Sequence, residues 1–477
     1  MTEELNKGKR YSCSIEARRR LSPRGEILAS LALLVVPNII AWVTLYPGFF
    51  QADHQYAMGL FIRGELDQGH SLVWCALAYP FIYLSPSYGL YGLVQIASFV
   101  AAVFFALRKI KRVQVIKSMV PLSALFGLFP TFLAYNELYS SDICLAYVLL
   151  YLTALSIELV QTKGEAIGSI SYRLQLAGFL AMAICLRKNA PVVGVLMLLV
   201  IPFVGALQRR RACVATVACG LAVGLLIDMF IFPLALHAKP SRSQEVLSVP
   251  ATQIARVFEQ NGDVPEDTEL LLNIRSAEEW AESYEPFIAD YAKDGLNLSP
   301  GFMRDWLVVG LHNPKEYLYA YLELEHPFWT LGYVPHAQID LDFSEHDVFT
   351  KDSTKGEARP EYLAQFNGTE GKSWLWRRLG NLPEAMISLH IPVLTEVCGT
   401  ILFDRGLPLW TVAVGVCLSK RGRRKSFLLV ACPVLAIIFG LLAFAPIASM
   451  RYAMEAYYAL PLLWAYIAHC VSARQEV

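Results

Sequence analysis

The chain has 477 residues, 55% of them hydrophobic and only 17% charged, with a mean hydropathy of +0.41. An ordinary soluble protein carries about 25% charge, so a chain this apolar cannot cover a water-soluble surface. A soluble enzyme is excluded, 12% aromatic residues exclude a disordered chain, and 41 basic against 41 acidic residues leave no case for a nucleic-acid partner. What remains is an all-α polytopic membrane protein, its main partner a lipid bilayer. The neutral total hides an asymmetry. Residues 236–384 carry 25 acidic and 13 basic side chains, so the remainder is basic. The ten cysteines avoid 236–384 and sit mostly in apolar runs, where they read as small buried hydrophobes.

A bilayer span needs about 20 mostly apolar residues. The first candidate, 27–46, is longer than the apolar core of a signal peptide. The Pro47-Gly48-Phe49-Phe50 that follows is no small-residue cleavage site, so an uncleaved helix is expected. Further spans are expected near 88–107, 118–135, 143–161, 173–187, 191–207, 212–235, 400–419, 426–445 and 457–472, about ten in all. Residues 72–86 are apolar but carry Pro80 and Pro86, and read as an interfacial helix or half of a broken span. The expected organisation is an N-terminal transmembrane domain over 1–235, a soluble domain over 236–384 and a C-terminal transmembrane segment over 385–477.

Basic clusters orient these spans. Lys7, Lys9, Arg10, Arg18 to Arg20 and Arg24 precede the first, and Arg108-Lys109-Ile110-Lys111-Arg112 follows the second. Arg209-Arg210-Arg211 follows the sixth, and the run Lys420 to Lys425 the eighth. With ten spans all four clusters face the cytoplasm, as do both termini. The loop 46–71, the turn 136–142, Arg187-Lys188, the acidic body 236–384 and Arg451 then share the opposite face. That body is expected to be mostly helical. Helical spacing runs through 248–260, and helix formers through 265–291. Ser299-Pro300 looks like an N-cap with proline in the first turn, Asn313-Pro314 starts a second helix through 317–325, and 340–371 reads as loop.

Five places carry candidate chemistry, four of them on this face. The loop 46–71 holds Asp53, His54, Gln55 and His70. A carboxylate there, beside helices that exclude water, suits a general base or a ligand of a divalent cation such as Mg or Mn, against the alternative of an ordinary solvated loop. Asp142 follows Tyr139-Ser140-Ser141, where a helix cap competes with a catalytic role. Arg187-Lys188 breaks two apolar helices with adjacent cations that suit a lipid phosphate, against the alternative of a snorkelling loop. Arg451-Tyr452 combines a cation with an aromatic cluster and fits either an anion site or an interfacial belt. Asp228 lies within a span, where an ionisable group costs roughly 2.5–3.5 kcal/mol to insert and is functional or paired with a neighbouring helix. The two sequons, at Asn297 and Asn367, are short enough to recur by chance.

Taken in order, Tyr46-Pro47-Gly48, Asp53 with Gln55, Gly69-His70, Arg187-Lys188-Asn189, Leu247-Ser248-Val249-Pro250 with Gln253-Ile254-Ala255-Arg256-Val257, and Arg451-Tyr452 resemble an uncharacterised family of bacterial multi-pass membrane proteins. That family is similar to the GT-C superfamily of glycosyltransferases, which use polyprenyl-phosphate-linked sugars. The resemblance implies a bacterial cytoplasmic-membrane protein with an extracytoplasmic site under the first outer loop. Asp53 matches the loop carboxylate that serves as base or metal ligand, and Asp142 a second acidic position. Two departures stand out. The family often has His-Pro where this chain has His70-Ser71, and Lys-Asp where it has Ser141-Asp142. The missing lysine shifts donor-phosphate binding toward Arg187, Lys188 and Arg451. The expected reaction is sugar transfer to an acceptor hydroxyl of a cell-envelope glycan, lipid or protein, with inversion. Here Asp53, His70 and Asp142 are catalytic, and His54, Gln55, Asp228, Arg256 and Tyr452 are further candidates. A transporter or flippase for a lipid-linked glycan is the rival, and polar residues at mid-depth in several spans would favour it. A non-catalytic envelope-assembly protein, using 236–384 as a binding module, is the third reading.

Overall fold

The computed structural model describes residues 22–46, 48–50, 52–84, 89–240, 243–332 and 404–472. The basic residues before position 21, the loop expected over 340–371, the sequon at Asn367 and the start of the span expected at 400 lie outside them.

Helix α1 (Pro23–Leu45) begins at Ser22, whose hydroxyl accepts the Gly25 N–H at 3.0 Å, with proline where a missing N–H costs nothing. Strand β1 (Phe49–Phe50) leads into α2 (Ala52–Ile62), α3 (Leu72–Leu84) and α4 (Gly89–Arg112). The span expected over 118–135 is instead two short helices, α5 (Val120–Leu128) and α6 (Pro130–Tyr135). Pro130 forces the break, because the residue before proline avoids helical backbone and Phe129 is extended at φ −73°, ψ 121°. Strand β2 (Leu138–Tyr139) pairs in parallel with β1, and this two-residue ladder is the only sheet among the described residues. Then come α7 (Ser141–Gln161), α8 (Ile170–Leu186), α9 (Pro191–Val200) and α10 (Arg210–Leu226), which widens into a π-helical turn over Ile227–Ala235. Of these, α1, α4, α7 and the joined Arg210–Ala235 helix are long and apolar enough to cross a bilayer. So is Arg421–Phe444, which contains the later helix Arg424–Phe444. Five shorter apolar helices, α3 and α8 among them, accompany these. The architecture is that of an all-α multi-pass membrane protein.

Helix α7 is the axis. It is buried along nearly its whole length and packs against α1's neighbour α4 and against α8. Outer helices show apolar side chains to the surroundings instead, as with Leu28, Val36 and Ile40 of α1 and Met229 and Leu234 of the π turn. Small residues let backbones approach. A Cβ at Gly220 would meet the Ala177 backbone at 2.8 Å, which locks α10 to α8.

The stretch 243–332 forms helices α11 (Ser248–Glu259), α12 (Glu269–Ile274), α13 (Ala277–Glu282), α14 (Asp290–Lys293), α15 (Pro300–His312) and α16 (Pro314–Glu325). They enclose their own core around Ile254, Trp280, Phe302 and Val309. Ser299 caps α15 through the Phe302 N–H at 3.1 Å, as the sequence pattern implies. This body touches the bundle through Ala289 N–H to Pro446 O at 2.7 Å and Tyr321 O–H to Leu442 O at 3.1 Å. The chain closes with α17 (Leu407–Leu418), α18 (Arg424–Phe444), α19 (Met450–Tyr457) and α20 (Leu460–Ser472).

Candidate functional site: an alternating chain of buried charges

The β1–β2 ladder joins two chain segments that both lead straight into helices. Beyond β1, α2 places Asp53 and His54 in its first turn. Beyond β2, Ser140 caps α7 by accepting the Ile143 N–H at 3.3 Å, and Ser141 and Asp142 follow. The His54 Nε2 accepts the Ser141 backbone N–H at 2.8 Å and lies 2.8 Å from Ser141 Oγ, which pins α2 onto the start of α7. Burial holds the His54 imidazole down to about 4, so it is a neutral acceptor here and not a cation.

Two arginines arrive from far along the chain. Arg187 ends α8, where its backbone turns extended while its N–H still reaches Ala183 O at 3.1 Å. Arg451 opens α19 behind Ser449, whose hydroxyl accepts the Arg451 N–H at 3.1 Å. Three carboxylates meet them, Asp142 between the two and Asp53 and Glu455 on the outer sides. Arg451 Nη1 donates to Asp53 Oδ2 at 3.1 Å, and its Nε lies 3.4 Å from Asp142 Oδ2. Arg187 donates to Asp142 and lies 2.8 Å from Glu455 Oε1. The order is Asp53–Arg451–Asp142–Arg187–Glu455, signs alternating. Tyr452 is wedged against both cations, with each guanidinium carbon 4.6 Å from the ring centroid and the Tyr452 hydroxyl accepting from Arg451 Nη2 at 2.8 Å. The Asp53 side chain is 54% exposed, whereas that of Glu455 is 1% exposed. The chain of charges therefore opens to the surroundings at Asp53 and is sealed at Glu455.

Several expected members make other contacts. Lys188 turns from its neighbour Arg187 and bridges both oxygens of Asp228, at 2.7 and 2.9 Å, while Gln68 Nε2 holds the Asp228 carbonyl at 2.5 Å. Asp228 is thus a paired group at a widened helix turn. His70 packs its ring edge-on against Tyr56, with centroids 6.0 Å apart. Gln55 is buried beside His54 in α2. Arg256 belongs to the separate body, where it binds Glu316 at 3.0 Å, Tyr284 at 2.7 Å and Glu323, and its role there is to tie α11 to α16. Glu455 is the member sequence reasoning overlooked. Its signal was its spacing, four residues after Arg451 on a Tyr-rich helix, which puts both on one face.

The arrangement bears on a divalent cation. Among the described residues no three His, Cys, Asp or Glu side chains converge as metal ligands, and guanidiniums stand between the carboxylates of this cluster. The residues of this cluster do not fit a Mg or Mn site, and no chemical step is routed through one. The arginines are likewise not idle: each already faces two carboxylates. Of the three carboxylates only Asp53 is exposed. No protein-family model matches the chain, and no curated protein matches it in sequence.

Proposed function

We propose that this is an extracytoplasmic membrane glycosyltransferase of the bacterial cytoplasmic membrane, drawing its sugar from a polyprenyl-phosphate lipid. In this reading about ten membrane passes, the five shorter apolar helices included, put both termini in the cytoplasm and 236–384 outside. The observation that carries it is the half-exposed Asp53 carboxylate held 3.1 Å from Arg451 at the open end of a buried charge chain.

Exchange is the first event. The donor phosphate takes the Asp53 place on Arg451, and the freed carboxylate turns to the acceptor hydroxyl. Asp53 removes the hydroxyl proton as the oxygen attacks the anomeric carbon. A new glycosidic C–O bond forms, the anomeric C–O bond to phosphate breaks, and the lipid phosphate leaves with the electron pair. Arg451, backed by Asp142, Arg187 and Tyr452, stabilises the charge growing on that oxygen. One displacement inverts the anomeric centre and needs a single carboxylate. His54 holds α2 in register, and the 243–332 body helps select the acceptor.

The test is release of lipid phosphate from a polyprenyl-phosphate sugar by the purified full chain in detergent. Asp53→Asn is expected to lose roughly 10²–10⁴-fold in turnover, the usual worth of a general base. Unchanged turnover in Asp53→Asn ends the assignment. A second reading, transport of a lipid-linked glycan, is supported by one observation: Asn38, Gln95, Asn136 and Tyr147 form a hydrogen-bonded polar layer inside the helix bundle. Lipid-glycan movement across vesicles without phosphate release would favour that reading.

A further inference from the structure

The polar layer has an odd member. Asn136 lies at its centre. Its Oδ1 accepts from Tyr147 O–H at 2.7 Å and from Tyr458 O–H at 2.6 Å, and its Nδ2 donates to Asn38 Oδ1 at 2.7 Å. Gln95 Nε2 donates to the Asn136 and Leu138 carbonyls at 2.8 and 2.9 Å, bracketing the backbone of Glu137. Glu137 itself is fully buried, and neither carboxylate oxygen has a hydrogen-bond partner among the described residues. Nor is any Lys or Arg paired with it there. The Tyr147 and Tyr458 hydroxyls are spent on Asn136, and Gln95 Oε1 is a second buried acceptor that receives no hydrogen among the described residues.

Helix geometry sets the depth. Asn38, Gln95 and Tyr147 lie six or seven residues in from the ends of α1, α4 and α7 beside the β1–β2 ladder. At 1.5 Å per residue that is about 10 Å into the bundle. A carboxylate at this depth with no cation and no donor is the arrangement that burial penalises most, and a proton removes the charge at once. Protonation also gives the group an O–H donor, in a layer where Gln95 Oε1 is a buried acceptor without one among the described residues.

We infer that Glu137 is a proton-binding site within the membrane domain: a neutral carboxylic acid, distinct from the charge chain, whose O–H completes the Asn38–Gln95–Asn136 layer beneath β2. The inference stands apart from the transferase reading, because it needs neither donor nor acceptor. Proton uptake here is a property that both a transferase and a transporter can use.

Infrared spectroscopy of the full chain in detergent at neutral pH tests it. The wild-type-minus-Glu137→Gln difference spectrum is expected to contain a protonated-acid C=O band and no carboxylate band. The buried Glu325 and Glu455 cancel, since both samples carry them. A carboxylate band in its place would overturn the inference. Folding gives a second arm. Gln mimics a neutral acid, so Glu137→Gln is expected to melt with the wild type, whereas Glu137→Lys melts well below it. If Glu137→Gln fails to fold while Glu137→Asp folds normally, the group is an ionised structural partner and the inference falls.

Discussion

Helix α7 ends in two charged clusters of opposite design. At its C-terminal end Glu158 takes Lys109 at 2.9 Å and also Arg112, while Glu26 nearby takes Lys111 and the Met119 N–H at 2.8 Å. That makes two carboxylates against three cations, and the surplus cation is spread into the surroundings, since the Arg112 side chain is 68% exposed. At the N-terminal end three carboxylates face two guanidiniums, and the surplus carboxylate, Glu455, is sealed from the surroundings. A surplus charge in contact with water costs little, but one buried in a bundle leans entirely on its partner. The first cluster is built to hold helices at a boundary. In the second, loss of Asp53 would leave the rest still paired, and that is the property the proposed exchange at Asp53 requires.

The comparison breaks most easily at Arg187, which serves Asp142 and Glu455 together. Arg187→Leu strands the buried Glu455 and leaves Asp142 with Arg451 alone, so it is expected to cost roughly 3–5 kcal/mol, the usual penalty for removing one partner of a buried pair. Thermal unfolding in detergent measures it. Glu455→Gln removes the surplus instead and is expected to melt at or above the wild type. The double variant is expected to recover part of the Arg187→Leu loss. If Arg187→Leu alone unfolds with the wild type, the N-terminal cluster is no more demanding than the other one and the contrast is lost.

A second prediction separates the ends by pH. His54 joins α2 to α7 only as a neutral acceptor, and its folded value near 4 lies below the ordinary value of 6.5. The unfolded chain then binds the extra proton first as acid is added, so stability contributed by His54 is full above about pH 6.5 and is lost as the pH falls toward 4. At most about 3.5 kcal/mol is involved, from about 1.4 kcal/mol per unit over a displacement from 6.5 to about 4. His54→Gln is expected to melt lower at neutral pH but to flatten the slope between pH 6.5 and 4, read as the difference between the two melting profiles. An unchanged slope would mean that the imidazole does not hold α2 in place.

Much of the fold was legible because apolar runs of bilayer length report their own helices. The boundaries of α1, α4, α7 and α18 follow from hydropathy, and α15 from Ser299-Pro300. The break at Pro130 was overlooked because composition over 118–135 is uniformly apolar and only local backbone sterics end the helix. In the site, Asp53, Asp142, Arg187, Arg451 and Tyr452 were visible as polar groups at span ends, and the structure brings them within contact of one another. Their pairing was not visible. Neighbours in sequence do not share partners: Lys188 goes to Asp228 and Arg187 to Asp142, because successive residues at a helix end point in different directions. Glu137 and Glu455 were hidden for a related reason. A single acid in an aromatic-rich stretch looks like an interfacial residue until tertiary packing shows that no water reaches it.

The smallest expected effect belongs to the C-terminal end of α7. Arg112→Ala removes one of two cations from Glu158, but Lys109 stays at 2.9 Å and the lost side chain was mostly exposed. The expected cost is therefore about 0.2–1 kcal/mol, the worth of an exposed pair. It should also shrink between low and high salt, because exposed charges are screened over about a Debye length, ~8 Å at physiological ionic strength. Arg451→Lys, at the sheltered end, keeps the charge but loses the planar fork that faces Asp53, Asp142 and Tyr452 at once, and salt reaches it poorly. Its melting deficit is expected to exceed that of Arg112→Ala and to stay constant with salt. Equal salt dependence at the two positions would mean that both clusters are bathed in solvent, which the sealed position of Glu455 does not allow.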